Sequence, residues 1–327
     1  MFLVLFVVFL VTPTHCLGHQ CLPKQHVALF IFGDSLVDAG NNNNYINSTT
    51  EAQANYGPYG ETFFKYPTGR FSNGRIIPDF IVIHYSLDFI AYKAASGGVF
   101  FRCGTPKDAV IDLKTQLQYF KKLEKLLREK LGVGETKTLL ARAVYLINIG
   151  FDGYGVLLFT TNSSALQSYP QEEYEIYKKG GRKFVIPNLG PFGCLPFARA
   201  LNRALGNTGA CLQEVNPIVK LHNEELSKVL QELEGEFNGF KYSIVNSYTY
   251  LSEIIHNPSN YGFKESRIAC CGTGPYRGMF SCGGNEYVFL DSIHPSEKAS
   301  QQFVELMWNG TLNITGPYNL KEFFENK

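Results

Sequence analysis

The 327-residue chain has almost no net charge, 30 Lys and Arg standing against 29 Asp and Glu for a balance of +1. So even a balance leaves no electrostatic footprint for nucleic acid or an anionic membrane, and partners have to be read from local chemistry. Long apolar runs are also missing. The one candidate, Met1 to Val11, has about half the ~20 residues a membrane-spanning helix needs. With Thr12-Pro13-Thr14-His15-Cys16-Leu17-Gly18 behind it, this stretch fits the apolar region of a secretory signal peptide cleaved near Cys16 to Gly18, although no Lys or Arg precedes it. No Cys/His spacing matches a zinc site. No repeat or low-complexity linker divides the chain. Residues 1–18 are read as a signal peptide and 19–327 as a single domain, large enough to bury a substantial core.

The cysteines do not pair off. Removing Cys16 from the eight leaves seven: Cys21, Cys103, Cys194, Cys211, Cys270, Cys271 and Cys282. At least one is then free or bonded to another chain. Sequons at Asn47, Asn162, Asn309 and Asn313 point, with the leader, to a secreted, extracellular glycoprotein.

Strand-like apolar runs recur at Val27–Phe32, Ala143–Ile149, Lys183–Pro187 and Tyr242–Val245. Helical spacing fills the intervals. From Asp112 to Leu131, Leu113, Leu117, Phe120, Leu123, Leu127 and Leu131 share one face, while Lys121, Lys122, Lys125 and Glu129 form a solvated one. A second helix is expected over Val215–Phe237, carrying Val219, Leu226, Val229, Leu230 and Leu233, and a third over Ser296–Trp308. Strand alternating with helix predicts an α/β fold, a parallel sheet covered on both faces.

The first strand runs into Gly33-Asp34-Ser35, which places a hydroxyl at the carboxyl edge of the sheet, where open α/β folds keep their chemistry. Asp291-Ser292-Ile293-His294 offers a carboxylate and an imidazole on one turn. Serine needs a base to take its proton, and the base needs an orienting acid, so the three types together predict a serine hydrolase. Taken singly they remain ambiguous: Ser35 and Asp291 would each also serve as a helix cap.

The words around these residues resemble the plant-type GDSL esterase/lipase family of the SGNH hydrolase superfamily. Phe32-Gly33-Asp34-Ser35-Leu36 with Asp38-Ala39-Gly40-Asn41-Asn42-Asn43 resembles its first block. Gly69-Arg70-Phe71-Ser72-Asn73-Gly74-Arg75, Ala95-Ser96-Gly97-Gly98, Pro191-Phe192-Gly193-Cys194-Leu195-Pro196, Ala269-Cys270-Cys271-Gly272 and Phe289-Leu290-Asp291-Ser292-Ile293-His294-Pro295 follow in the family's order. The resemblance implies a three-layer α/β/α sandwich with a central, mostly parallel, flavodoxin-like sheet. It implies a Ser35–Asp291–His294 triad hydrolysing acyl esters or lipids through an acyl-enzyme. The oxyanion hole would use the Ser35 N–H, a glycine N–H at Gly97 or Gly98, and an Asn side chain. Neither metal nor cofactor is implied, and the protein is expected to be a monomer with no nucleic-acid partner and no membrane span.

The chain departs from that pattern in two ways. Gly150-Phe151-Asp152-Gly153-Tyr154 aligns Asp152 with the oxyanion Asn; loss of one such donor costs about 2.7–4 kcal/mol. Segments before Ala95, between Tyr169 and Lys179, and after Cys282 are short for the family, so an incomplete sandwich is expected. By the same resemblance one of Cys270, Cys271 and Cys282 has lost its partner, and Cys194 pairs with Cys211. Two alternatives stay open: a catalytically impaired secreted homologue that binds an acyl or glycan ligand, and a carbohydrate-ester deacetylase.

Overall fold

The computed structural model describes residues 27–44, 53–85, 91–93, 111–150, 175–272 and 286–325. The leader, Asn47, Gly97, Gly98, Asp152, Asn162, Cys282 and most of the three short segments lie outside them.

Among the described residues a six-stranded sheet organises the chain in the order β2-β1-β3-β4-β5-β6. The strands are β1 (Leu29–Gly33), β2 (Ala91–Lys93), β3 (Val144–Asn148), β4 (Lys183–Pro187), β5 (Lys241–Val245) and β6 (Thr315–Pro317). The first five are parallel; β6 joins the edge antiparallel. The two edge additions, β2 and β6, were not anticipated, because three residues are too few to show a period.

Alternation along the central strands feeds two cores, one on each face. Phe30, Phe32, Tyr145, Ile147, Phe184 and Ile186 point to one side and pack with Leu117, Phe120 and Leu127 of α2 (Leu113–Arg142). Leu29, Ile31, Val144, Leu146 and Val185 point to the other. They meet α1 (Ile77–Tyr85), α5 (Ser247–His256), α6 (Glu297–Asn309) and α7 (Leu320–Glu325). This is the α/β/α sandwich.

The helix expected over Asp112–Leu131 is present. Asp112 caps it by accepting from the Thr115 N–H, and Gly132, at φ 82°, interrupts α2 before it resumes to Arg142. Helix α3 spans Pro196–Ala204 and α4 spans Val215–Glu236. Within α4, Val215 and Val219 join one core and Leu230 the other, whereas Val229, placed on the apolar stripe, is 44% exposed. A helix that crosses between two cores does not keep one stripe.

The order β2-β1-β3 reverses direction at β1, so the crevice between the carboxyl ends of β1 and β3 is the topological switch point, where doubly wound sheets bind ligands.

Candidate active site

Ser35 is the second residue after β1, at that switch point. Gly33 is needed there for space, because a Cβ would run into the Asn148 carbonyl of β3 and the Val37 side chain. Gln116 of α2 braces the same peptide: Gly33 N–H donates to its Oε1 at 3.0 Å, and its Nε2 donates to the Gly33 carbonyl at 3.0 Å. Ser35 Oγ lies 2.7 Å from His294 Nε2, and His294 Nδ1 lies 2.7 Å from Asp291 Oδ2. An ionised carboxylate only accepts, so Nδ1 carries the proton and Nε2 is left to accept from the serine. Neither Ser35 nor Asp291 caps a helix; Ser296 caps α6 instead.

Asp291 is fully engaged. Oδ1 accepts from the Ile293 and His294 N–H groups at 2.8 and 2.7 Å, and Oδ2 accepts from the Tyr59 hydroxyl at 2.7 Å as well as from His294. Burial works to raise its pKa, but the His294 charge and these hydrogen bonds outweigh it and hold the carboxyl below its ordinary value. The Phe71 ring stacks on the imidazole, centroids 4.7 Å apart.

Tyr59 and Phe71 sit on one segment, and the Gly69–Arg75 word explains how it is anchored. Arg70 makes a two-pronged ion pair with Asp79 of α1, at 2.8 and 3.0 Å. Asn73 Oδ1 accepts from the Glu297 N–H at the start of α6, and Arg75 Nε pairs with the Glu297 carboxylate at 2.6 Å. The segment therefore grips both sides of the turn that carries His294.

Asp34, beside the nucleophile, accepts from the Leu36 N–H and from Asn148 Nδ2, both at 3.1 Å. Burial dominates here, pushing its pKa up to about 6 against the opposing pull of those donors and of His294. A cavity of about 110 Å³ opens beside it at the strand ends. Leu36, Ile293 and Pro295, chain neighbours of the triad, line it with Leu189, Phe192 and Phe303, so its walls are largely apolar.

The structure thus brings Ser35, Asp291 and His294 together. Gly97, Gly98 and Asp152, expected in the oxyanion hole, lie outside the described residues, as do Asn47 and Asn162; Asn309 and Asn313 are exposed. Cys194 and Cys211 form a disulfide, and Cys270 is disulfide-bonded too. Cys271, named as a disulfide candidate, is not in one. It is a buried free thiol whose Sγ donates to the Leu290 carbonyl at 2.9 Å, an intrachain bond that fixes it in the wall behind Asp291. Sequence reasoning missed Tyr59 and Gln116, which carry no recognisable pattern. Asn148 had a signal: a lone amide at the end of an apolar strand.

A family model described as GDSL-like Lipase/Acylhydrolase matches residues 29–307. The chain belongs to this family. It is 43% identical to GDSL esterase/lipase 1 of Arabidopsis thaliana, over 99% of this chain and 97% of that protein. It is 44% identical to GDSL esterase/lipase 2 of the same plant, over 93% and 91%, and 41% identical to a GDSL lipase of Tanacetum cinerariifolium, over 96% and 91%. Membership makes it a carboxylic ester hydrolase of the SGNH type. The first alignment runs over 366 positions against 327 residues, so at least 39 (366 − 327) have no counterpart in this chain. That agrees in sign with the short segments expected of this GDSL chain. Among the described residues no helix is long and apolar enough to cross a membrane.

Proposed function

We propose that the protein is a secreted serine esterase/lipase in which Ser35 is the nucleophile, His294 the general base and Asp291 the orienting acid. The single observation that carries this is the imidazole bridging Ser35 Oγ and Asp291 Oδ2 at 2.7 Å on each side. His294 takes the Ser35 proton as Oγ attacks the ester carbonyl; the alkoxide leaves with that proton and an acyl-serine remains. Water, deprotonated by the same imidazole, then releases the acid. Asp291, held ionised, stabilises the imidazolium formed in both steps. The apolar cavity beside the triad suits an acyl group, and the oxyanion hole is weakened because Asp152 replaces a neutral amide with a carboxylate. Secretion rests on the leader-like residues 1–18 and the exposed Asn309 and Asn313.

Asp152 favours one second reading, a catalytically silent homologue that retains an acyl-binding site. Fluorophosphonate labelling separates the two. Labelling that disappears in Ser35→Ala supports the esterase, and a folded protein that takes no label refutes it.

A further inference from the structure

We propose that Tyr59 is a positioning residue of the triad, its hydroxyl fixing Asp291 at the oxygen His294 uses. The proposal rests on the assignment of Ser35, Asp291 and His294 made above. Among the described residues Asp291 receives four hydrogen bonds, and three of the donors ride on its own turn: the Ile293 N–H, the His294 N–H and His294 Nδ1. These bonds shape the turn but move with it. The fourth comes from Tyr59, 232 residues away in sequence, and lands on Oδ2, the oxygen already bonded to the imidazole.

The Tyr59 side chain is held by packing and by hydrogen bonds of its own loop. Its ring is 3% exposed and packs edge-on against Tyr56 and Phe71, with centroids 5.3 and 5.6 Å apart. Gly60 N–H donates to the Ser72 carbonyl and Thr62 N–H to the Asn73 carbonyl, closing the loop on itself. Burial, then the Asp291 charge, push the Tyr59 phenol well above its ordinary pKa, so the hydroxyl keeps its proton and remains a donor. Among the described residues, Tyr56 and Cys271 add to the upward push on the Tyr59 phenol; the Cys271 thiol itself feels Asp291 and Glu61, and Asp34, the first residue after β1, feels His294.

The hydroxyl has two effects. It restrains the carboxylate, and it draws charge from the oxygen that faces the imidazole. Without it the Oδ2 charge bears more strongly on Nδ1, which favours the imidazolium and moves the acidic limb to higher pH. The lost restraint on the carboxylate, not this charge effect, is what lowers kcat.

Tyr59→Phe keeps the ring and deletes only the donor. The expected result is a kcat, per fluorophosphonate-titrated site, lower by about tenfold, the low end for a hydrogen bond to a charged group. KM for a short-chain p-nitrophenyl ester should change less than twofold, and the acidic limb of kcat/KM should move to higher pH. The low-field proton resonance of the Asp291–His294 hydrogen bond should shift in the folded variant. That spectroscopic readout needs no turnover, so a parent without Ser35-dependent activity would refute the proposed function while leaving this inference decided by the resonance. An acidic limb and a resonance that superimpose on the parent's overturn it, even if the variant melts at a lower temperature.

Discussion

Replacing Asp34 with Asn should make the protein more stable at neutral pH while slowing it. The Asp34 carboxyl is buried, and its pKa rises from 3.8 to about 6. At about 1.4 kcal/mol per unit, that shift corresponds to roughly 3 kcal/mol between the two protonation states. The sign follows from linkage. A carboxyl whose folded pKa exceeds its unfolded value holds its proton more tightly when folded. Its contribution is therefore complete below about 3.8 and is lost as pH rises through about 6. Asparagine keeps an oxygen for the Leu36 N–H and Asn148 Nδ2 and carries no charge to desolvate. Chemical denaturation of parent and variant from pH 4 to 7.5 should show the variant's relative stability climbing by roughly 2.5 kcal/mol, most of it before pH 6.5. Asp291 does not confuse the comparison, since it is present in both proteins and its depressed pKa loses stability only at more acid pH. Activity should move the other way, because Asp34 sits in the field of His294 and its charge favours the imidazolium that turnover requires. A stability difference constant within about 0.5 kcal/mol across that range, or one falling with pH, would refute the assignment of burial as the dominant cause.

Three further outcomes are expected. Asp152→Asn should raise turnover of a short-chain p-nitrophenyl ester by about a hundred- to a thousand-fold; an unchanged rate would place Asp152 outside the hole. Gln116→Ala strips the partners from the Gly33 N–H and carbonyl, so urea unfolding should show a loss of about 1–3 kcal/mol. The Cys271 thiol, pushed up to about 12 chiefly by burial and then by Asp291 and Glu61, should resist iodoacetamide at pH 8 in the folded enzyme and react on unfolding. Rapid modification of the native protein would contradict that burial.

The sequence by itself determined the four central strands, the longer helices and the residues proposed to react. Continuous apolar runs such as Leu29–Phe32 marked strands buried on both faces, because adjacent side chains must fill opposite cores. The 3.6-residue stripe of Asp112–Leu131 marked the helix that Gly132 interrupts. Ser35, Asp291 and His294 were legible because their chemistry demands those types inside short, specific words. Only the tertiary structure decided what surrounds them. Whether Ser35 and Asp291 capped helices or faced one imidazole depended on a contact spanning 259 residues, which no local pattern encodes. Cys271 became the free thiol through its place against Leu290, not through its spacing. Tyr59 and Gln116 have ordinary neighbours in the chain, and their value lies in which buried oxygen or peptide each one meets. Local periodicity fixes which face of an element is buried. Long-range packing fixes which polar atoms are stranded there, and those atoms are the ones the active site is built to satisfy.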